Sequence, residues 1–341
     1  MQTERKDRAR PIFKSLALSI ATLLVCGVIY EQIGEHRDRT RYQRIGTAID
    51  IGGRSLNLFC SGEGSPTVIL DSAGHTAGYS WMTVQPEIAK FTRACWYDRA
   101  GYGWSDPGPS PRTFAAIARD LHALAGSAHL TPPYVLVGAT AGAFHVRVYN
   151  ALYPDEVAGA VLIQASDPSI FPYEPPFMKG ALANLPRPVK AAGCKVLAPA
   201  LLHVGLVRLL GNPGAGRPFG MEWFPREQRQ ELLFLSNNPS TARTGGEGCW
   251  FDESMDEVRN AGNFGSRPMV VLVSSHPFRS PDPRFAEATQ RLNDYWFHQL
   301  QPHLAALSTR GELVVGEDAE EPASIVSAVN RVVGEVRAGT R

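Results

Sequence analysis

The segment Tyr134-Val-Leu-Val-Gly-Ala-Thr-Ala-Gly-Ala-Phe144 constrains the fold of this chain more than any other. The run PYVLVG at 133–138 is short, apolar and β-branched, as a buried strand requires. AGAFHVRVYNALY follows directly and reads as a helix. Between them stands Gly138-x-Thr140-x-Gly142. A strand that enters a helix with no loop between turns too sharply for side chains on either side of the apex. Glycines at those two positions meet that demand.

The rest of the chain supplies the layers such a turn needs. Strand-like runs lie at 46–51, 55–60, 67–71, 93–98, 157–166, 268–274 and 312–316. Apolar residues at helical spacing mark 113–124, with Phe114, Ile117, Leu121 and Leu124 on one face. Helices are also expected at 81–90, at 284–307 as one long element, and at 323–337. Antiparallel-looking strands come first, and strand and helix then alternate. This order implies an α/β fold with a mostly parallel central sheet flanked by helices. Residues 168–265 break the rhythm. They are rich in Pro and Gly and contain the helical pieces LLHVGLVRLLG and REQRQELLFL. They read as an inserted helical cap over the carboxyl ends of the strands, leaving a core of 46–167 and 266–341.

Several segments, taken together, resemble the α/β-hydrolase superfamily: CSGEGSPTVILDSAG at 60–74, YDRAGYGWSDPGPSPRT at 97–113, PYVLVG at 133–138 and VRVYNALYPDEVAGAVLI at 146–163. The resemblance extends to a bacterial membrane-anchored branch that carries the YDRAGYGWSDPG signature. It covers roughly residues 46–340 and specifies a fold family rather than a substrate. It implies an elbow built on Gly138 and Gly142, with Thr140 at the nucleophile position. It also implies an oxyanion hole from the backbone N–H of Ala141 and from the loop at Gly74 and His75.

Departures from that pattern bear on catalysis. The family carries serine at the nucleophile position, a general-base histidine after the last strand, and an acid just after the strand that ends here near Ser274. This chain has Thr140 at the elbow. Its stretch Val315-Gly-Glu-Asp-Ala-Glu-Glu-Pro322 holds no histidine, and none follows His303. An alcohol nucleophile needs a base to take its proton. The expectation is therefore a catalytically impaired protein that binds a small apolar or ester-like ligand or a protein partner. The alternative is a weak ester or lactone hydrolase using Thr140 with a relocated base. His276, near a strand end, is the candidate base, and Asp167 the candidate acid. The competing readings are a surface or cap-contacting histidine and a capping residue beside Pro168. Asp98 and Arg99 read as structural residues of the turn, and His145 as a packed one. The aromatic residues of the insertion, among them Phe171, Tyr173, Phe177, Phe224 and Phe234, either line an apolar pocket or form the core of the cap.

The amino terminus carries a separate signal. Residues 1–14 include Arg5, Lys6, Arg8, Arg10 and Lys14, and Ser15–Tyr30 is uncharged. A basic flank before an apolar run predicts a cytoplasmic tail at 1–14, a signal anchor at 15–33 and an extracytoplasmic remainder. No small-x-small cleavage site follows the run, which favours an anchor over a cleaved signal peptide. A lipoprotein site at Cys26 would need a small residue where Val25 stands. Residues 34–45 read as a linker. Outside the membrane, Cys60, Cys95, Cys194 and Cys249 allow two bridges, with Cys60–Cys95 and Cys194–Cys249 as the expected pairing. The 34 Lys and Arg against 33 Asp and Glu leave a formal charge of +1, without the basic excess of a nucleic-acid binder. No CxxC or HExxH occurs, so no metal and no cofactor are expected.

Overall fold

Strands β1 (Thr47–Asp50), β2 (Ser55–Ser61), β3 (Val68–Asp71), β4 (Ala94–Tyr97), β5 (Tyr134–Ala139), β6 (Val157–Ile163), β7 (Met269–Ser274) and β8 (Gly311–Gly316) form one sheet in the order β1-β2-β4-β3-β5-β6-β7-β8. The computed structural model describes residues 2–176, 178, 186, 189, 192–210, 218–236, 247–280 and 282–339. β1–β2 and β2–β4 pair antiparallel, and every later pairing is parallel. β4 and β5 flank β3 on opposite sides, so the order reverses there. An open α/β sheet places its crevice at such a reversal, outside the carboxyl ends of the strands.

Alternation along the strands explains the layers. Ile69, Leu136, Leu162 and Val271 face one way, onto Ile117 and Leu121 of the helix Phe114–Ser127 and Val146 and Val148 of Ala141–Leu152. Leu70, Val137, Val161 and Leu272 face the other way, onto Trp81, Ile88, Ile325 and Val329. The helices are α1 (Gln2–Arg41), α2 (Gln85–Ile88), α3 (Phe114–Ser127), α4 (Ala141–Leu152), α5 (Ala198–His203), α6 (Leu206–Leu210), α7 (Arg226–Ser236), α8 (Phe251–Arg259), α9 (Ala286–Tyr295), α10 (Gln301–Ala305) and α11 (Pro322–Gly339).

Three expectations need correction. The segment 284–307 is not one regular helix: a π turn at Trp296–Leu300 separates α9 from α10. That turn precedes Pro302, which has no N–H to continue the ladder. The expected linker at 34–45 is helical through Arg41. Its charged residues are helix formers at pairing distance, and Glu35 accepts from Arg39 at 2.8 Å one turn on. The insertion between β6 and β7 is not all cap. Met255 and Val258 of α8, and Phe264 after it, are buried in the core cluster beside the sheet.

Within Lys14–Arg41, α1 contains a window long and apolar enough to cross a membrane, with mean hydropathy 1.8. Cys60 and Cys95 are opposed on β2 and β4 and form a disulfide. Cys249 is also disulfide-bonded, and the side chain of Cys194 lies outside the described residues. Cys26 is free and exposed.

Candidate active site

β5 enters α4 through Thr140, whose φ of 48° and ψ of −106° lie in a sparsely populated region. Such a conformation costs on the order of 1–3 kcal/mol and persists only where its surroundings enforce it. Here the Thr140 N–H donates to the Ile163 carbonyl at 2.8 Å, and the Ala143 N–H donates to the Thr140 carbonyl at 3.1 Å. The flanking glycines are required by contact. A Cβ on Gly138 would sit 2.4 Å from the Gly142 carbonyl oxygen, and one on Gly142 would sit 2.5 Å from that of Asp71. The elbow thus stands against the end of β3, where Asp71 and Gly138 are paired in register.

The loop leaving β3 borders the residue after the apex. A Cβ on Gly74 would lie 3.3 Å from that of Ala141. His75 is exposed and takes φ 55°. The loop and Ala141 therefore adjoin, as an oxyanion hole needs.

Beneath this loop lies a buried ionic cluster. Arg99 donates from Nη1 to Asp71 Oδ1 and to the Ser72 carbonyl, both at 2.8 Å, and from Nη2 to the Ala73 carbonyl at 2.9 Å. Its Nε donates to Glu247 Oε1 at 2.6 Å, so a residue of the insertion reaches the core cation. Tyr97 donates its hydroxyl to Asp71 Oδ2 at 2.9 Å, and His145 Nδ1 lies 3.1 Å from the same oxygen. The Nε2 of His145 is buried without a hydrogen-bond partner, and the ring meets Phe114 edge-on at 4.8 Å. Burial alone would raise the Asp71 and Glu247 carboxyls. For both, the charges of His145 and Arg99 outweigh it and hold them below their ordinary values. Burial and the neighbouring Asp71 push the Tyr97 phenol well above its usual range.

Asp98 fixes the turn. It accepts from the Gly78 N–H at 2.8 Å, the Trp104 N–H at 3.0 Å and Asn57 Nδ2 at 3.0 Å. Burial nevertheless lifts its carboxyl from 3.8 to about 6. An acid raised in the fold penalises folding while ionised, and the penalty disappears as pH falls from about 6 toward 3.8. Asp71 and Glu247 act oppositely: their stabilisation is present above 3.8 and 4.5 and is lost as pH falls through their lowered folded values. Urea midpoints measured against pH should therefore rise on going from neutral pH to about 5, then fall at lower pH. The rise should vanish in Asp98→Asn, which also loses stability because its amide faces N–H donors.

The insertion docks next to the oxyanion loop. Tyr79 donates to Glu231 at 3.0 Å, the Ala77 N–H donates to the Ser236 hydroxyl at 3.2 Å, and the Gly103 N–H donates to the Leu235 carbonyl at 2.9 Å. Phe224, Leu232 and Leu235 close a small apolar cluster with Tyr79, and Phe234 packs on it. Phe171 and Tyr173 pair with Phe251 and Tyr295 at 5.7 and 3.8 Å, and Phe177 lies outside the described residues.

Neither triad candidate hydrogen-bonds the Thr140 hydroxyl, which has no hydrogen-bond partner among the described residues. His276 is exposed, and its Nδ1 shares a 2.9 Å hydrogen bond with the Ser274 hydroxyl. Asp167 accepts from Arg147 at 2.8 Å and from the Ser169 N–H at 3.0 Å, the bonding of a capping residue held by an ion pair. The loop after β8, where the resemblance puts a histidine, presents Glu320 instead. Its carboxylate accepts from the side chain of Gln164, a residue at φ 46° just past β6. The Gln164 side-chain oxygen Oε1 accepts in turn from the Ser274 N–H at 3.2 Å. No group of three metal-ligating side chains occurs among the described residues.

Reading the sequence missed the Asp71–His145 contact and the reach of Arg99. One signal was available: Asp71 and the Asp98-Arg99 pair each end an apolar strand, and charges there are either paired or functional.

Comparison with known proteins agrees with this geometry. A family described as alpha/beta hydrolase fold matches residues 64–188. Over 104 residues the chain is 33% identical to an uncharacterized vacuolar membrane protein of Saccharomyces cerevisiae, a match spanning 29% of this chain and 16% of that protein. An uncharacterized protein of Bacillus subtilis is 22% identical over 46% of this chain and 49% of its own length. The chain thus spans at most about half the length of these curated relatives. Potato epoxide hydrolase I superposes with a TM-score of 0.61 at 16% identity, covering 85% of this chain and 98% of that one. An esterase of Thermogutta terrifontis gives 0.53 at 19% identity, covering 86% and 99%. With a mostly parallel eight-stranded sheet and a strained strand-to-helix elbow, the chain has the α/β-hydrolase fold, and its residues 64–188 match the family described by that fold.

Proposed function

We propose that this is a membrane-anchored, extracytoplasmic α/β-hydrolase-fold protein that has lost triad hydrolysis and binds a small apolar or ester-like molecule at the elbow. The observation that carries the reading is the Thr140 hydroxyl, which has no described hydrogen-bonding base while the loop after β8 offers a carboxylate to Gln164. Without a proton acceptor a threonine hydroxyl is a poor nucleophile. The apolar stretch of α1 supports the anchor, and one relative is named as a membrane protein. A second reading, a weak ester or lactone hydrolase, is favoured by the retained strain at Thr140 and by the contact of Gly74 with Ala141.

The test is p-nitrophenyl ester hydrolysis by the detergent-solubilised full chain beside Thr140→Ser and Thr140→Ala. The expected result is no turnover above background in any of the three. Turnover in the natural protein that is lost in Thr140→Ala would establish the second reading.

A further inference from the structure

Part of the insertion lies along the amino-terminal helix. Gly27 approaches Val204 so closely that a Cβ there would be 2.3 Å from the Val204 carbonyl oxygen. A Cβ on Gly205 would in turn be 2.9 Å from the Gly27 carbonyl oxygen. One turn further on, Arg208 donates from Nε and Nη2 to both carboxylate oxygens of Glu31, at 3.0 and 3.1 Å. Glu31 is only 3% exposed. Gly34 abuts the same guanidinium. The contacts advance in one direction along both segments, from 27 against 204 to 31 and 34 against 208. Close approach at small residues, joined by polar pairing, is how helices associate in lipid.

The ion pair also sets a level. Glu31 directly follows the uncharged run Ser15–Tyr30, so the chain before Val204 runs beside that apolar run. From Val196 to Leu210 the one Lys, Arg, Asp or Glu is Arg208, which Glu31 engages. Apart from His203, the exposed side chains described in this segment are apolar, with Val196 68% exposed, Leu197 58% and Leu209 68%. They continue the apolar surface of α1, where Leu18 is 70% and Leu23 71% exposed. Water would leave this joint surface as an aggregation site, whereas acyl chains cover it at no such cost.

We propose that the cap segment 196–209 inserts into the bilayer beside α1, so that the domain rests on the lipid through its cap. This rests on the anchor reading above. The cap then joins the membrane directly to the loop beside the elbow, because the same insertion supplies α7 and Glu247.

The test uses the full chain in liposomes, in a Cys26→Ser background. Single cysteines replace Leu18, Leu197, Leu209 or Leu152, the last an exposed residue of α4. Each carries an environment-sensitive fluorophore and is titrated with lipids bearing an acyl-chain nitroxide. The expected result is a blue shift and loss of most emission at Leu18, Leu197 and Leu209, with no change at Leu152. Quenching at Leu18 but not at Leu197 and Leu209 would overturn the inference and leave the anchor standing. No quenching at Leu18 would overturn both. A blue shift at Leu197 and Leu209 without quenching would mean that a second copy or another protein covers the cap, and would likewise overturn it.

Discussion

Arg99→Met should cost about 3–5 kcal/mol of folding stability, the range for removing one partner of a buried ion pair. Arg99 is 2% exposed and stands between Asp71 and Glu247. Without it, burial penalises two carboxylates that keep only His145 and, at Asp71, the Tyr97 hydroxyl to oppose it. The same substitution releases the Ser72 and Ala73 carbonyls, so the loop bearing Gly74 and His75 loses its support. Urea unfolding of the solubilised protein measures the loss. Arg99→Met combined with Glu247→Gln should recover part of it, since one of the stranded charges is then gone. A loss below about 1 kcal/mol for the single variant would mean that the cluster behaves as an exposed pair.

Gly142→Ala should cost about 3 kcal/mol, at the upper end of what overpacking exacts. The added Cβ would meet the carbonyl oxygens of Asp71 and Ser72 at 2.5 and 2.9 Å. Both are backbone atoms, so no side chain can yield. Either β3 parts from β5 or α4 tilts at its first turn. Gly126→Ala is the matched control, because nothing lies within 4 Å of its Cβ position and alanine favours the helix. That control should be neutral or slightly stabilising in the same urea series.

These two positions differ in how far the sequence exposes their role. Gly142 is legible because its constraint is local: a strand, an apex and a helix lie within a dozen residues, and sterics beside the apex admit only glycine. Arg99 is not legible in that way. YDRAG predicts a turn held by Asp98 and Arg99, and Asp98 does hold it through Gly78, Trp104 and Asn57. Arg99 instead spends its donors on residues nearly thirty positions before it and, through Glu247, on one far beyond it. His276 shows a different limit. Its place after β7 suggested a role at the elbow, but its ring turns back onto Ser274 two residues away. The linker at 34–45 failed for another reason. Polarity marks exposure, and exposed charged residues at helical spacing extend α1 to Arg41.

The sequence by itself determined the α/β architecture, the position of the elbow and the apolar stretch of α1. Each follows from short-range patterns: alternation along strands, glycines flanking a tight apex, and the length of an uncharged run. Only the tertiary structure decided which charges meet beneath the oxyanion loop, that Glu320 engages Gln164, and that Arg208 closes on Glu31. A charge is spaced along the chain by covalent geometry, but its partner is chosen by the folded crossing of elements that sequence order leaves open.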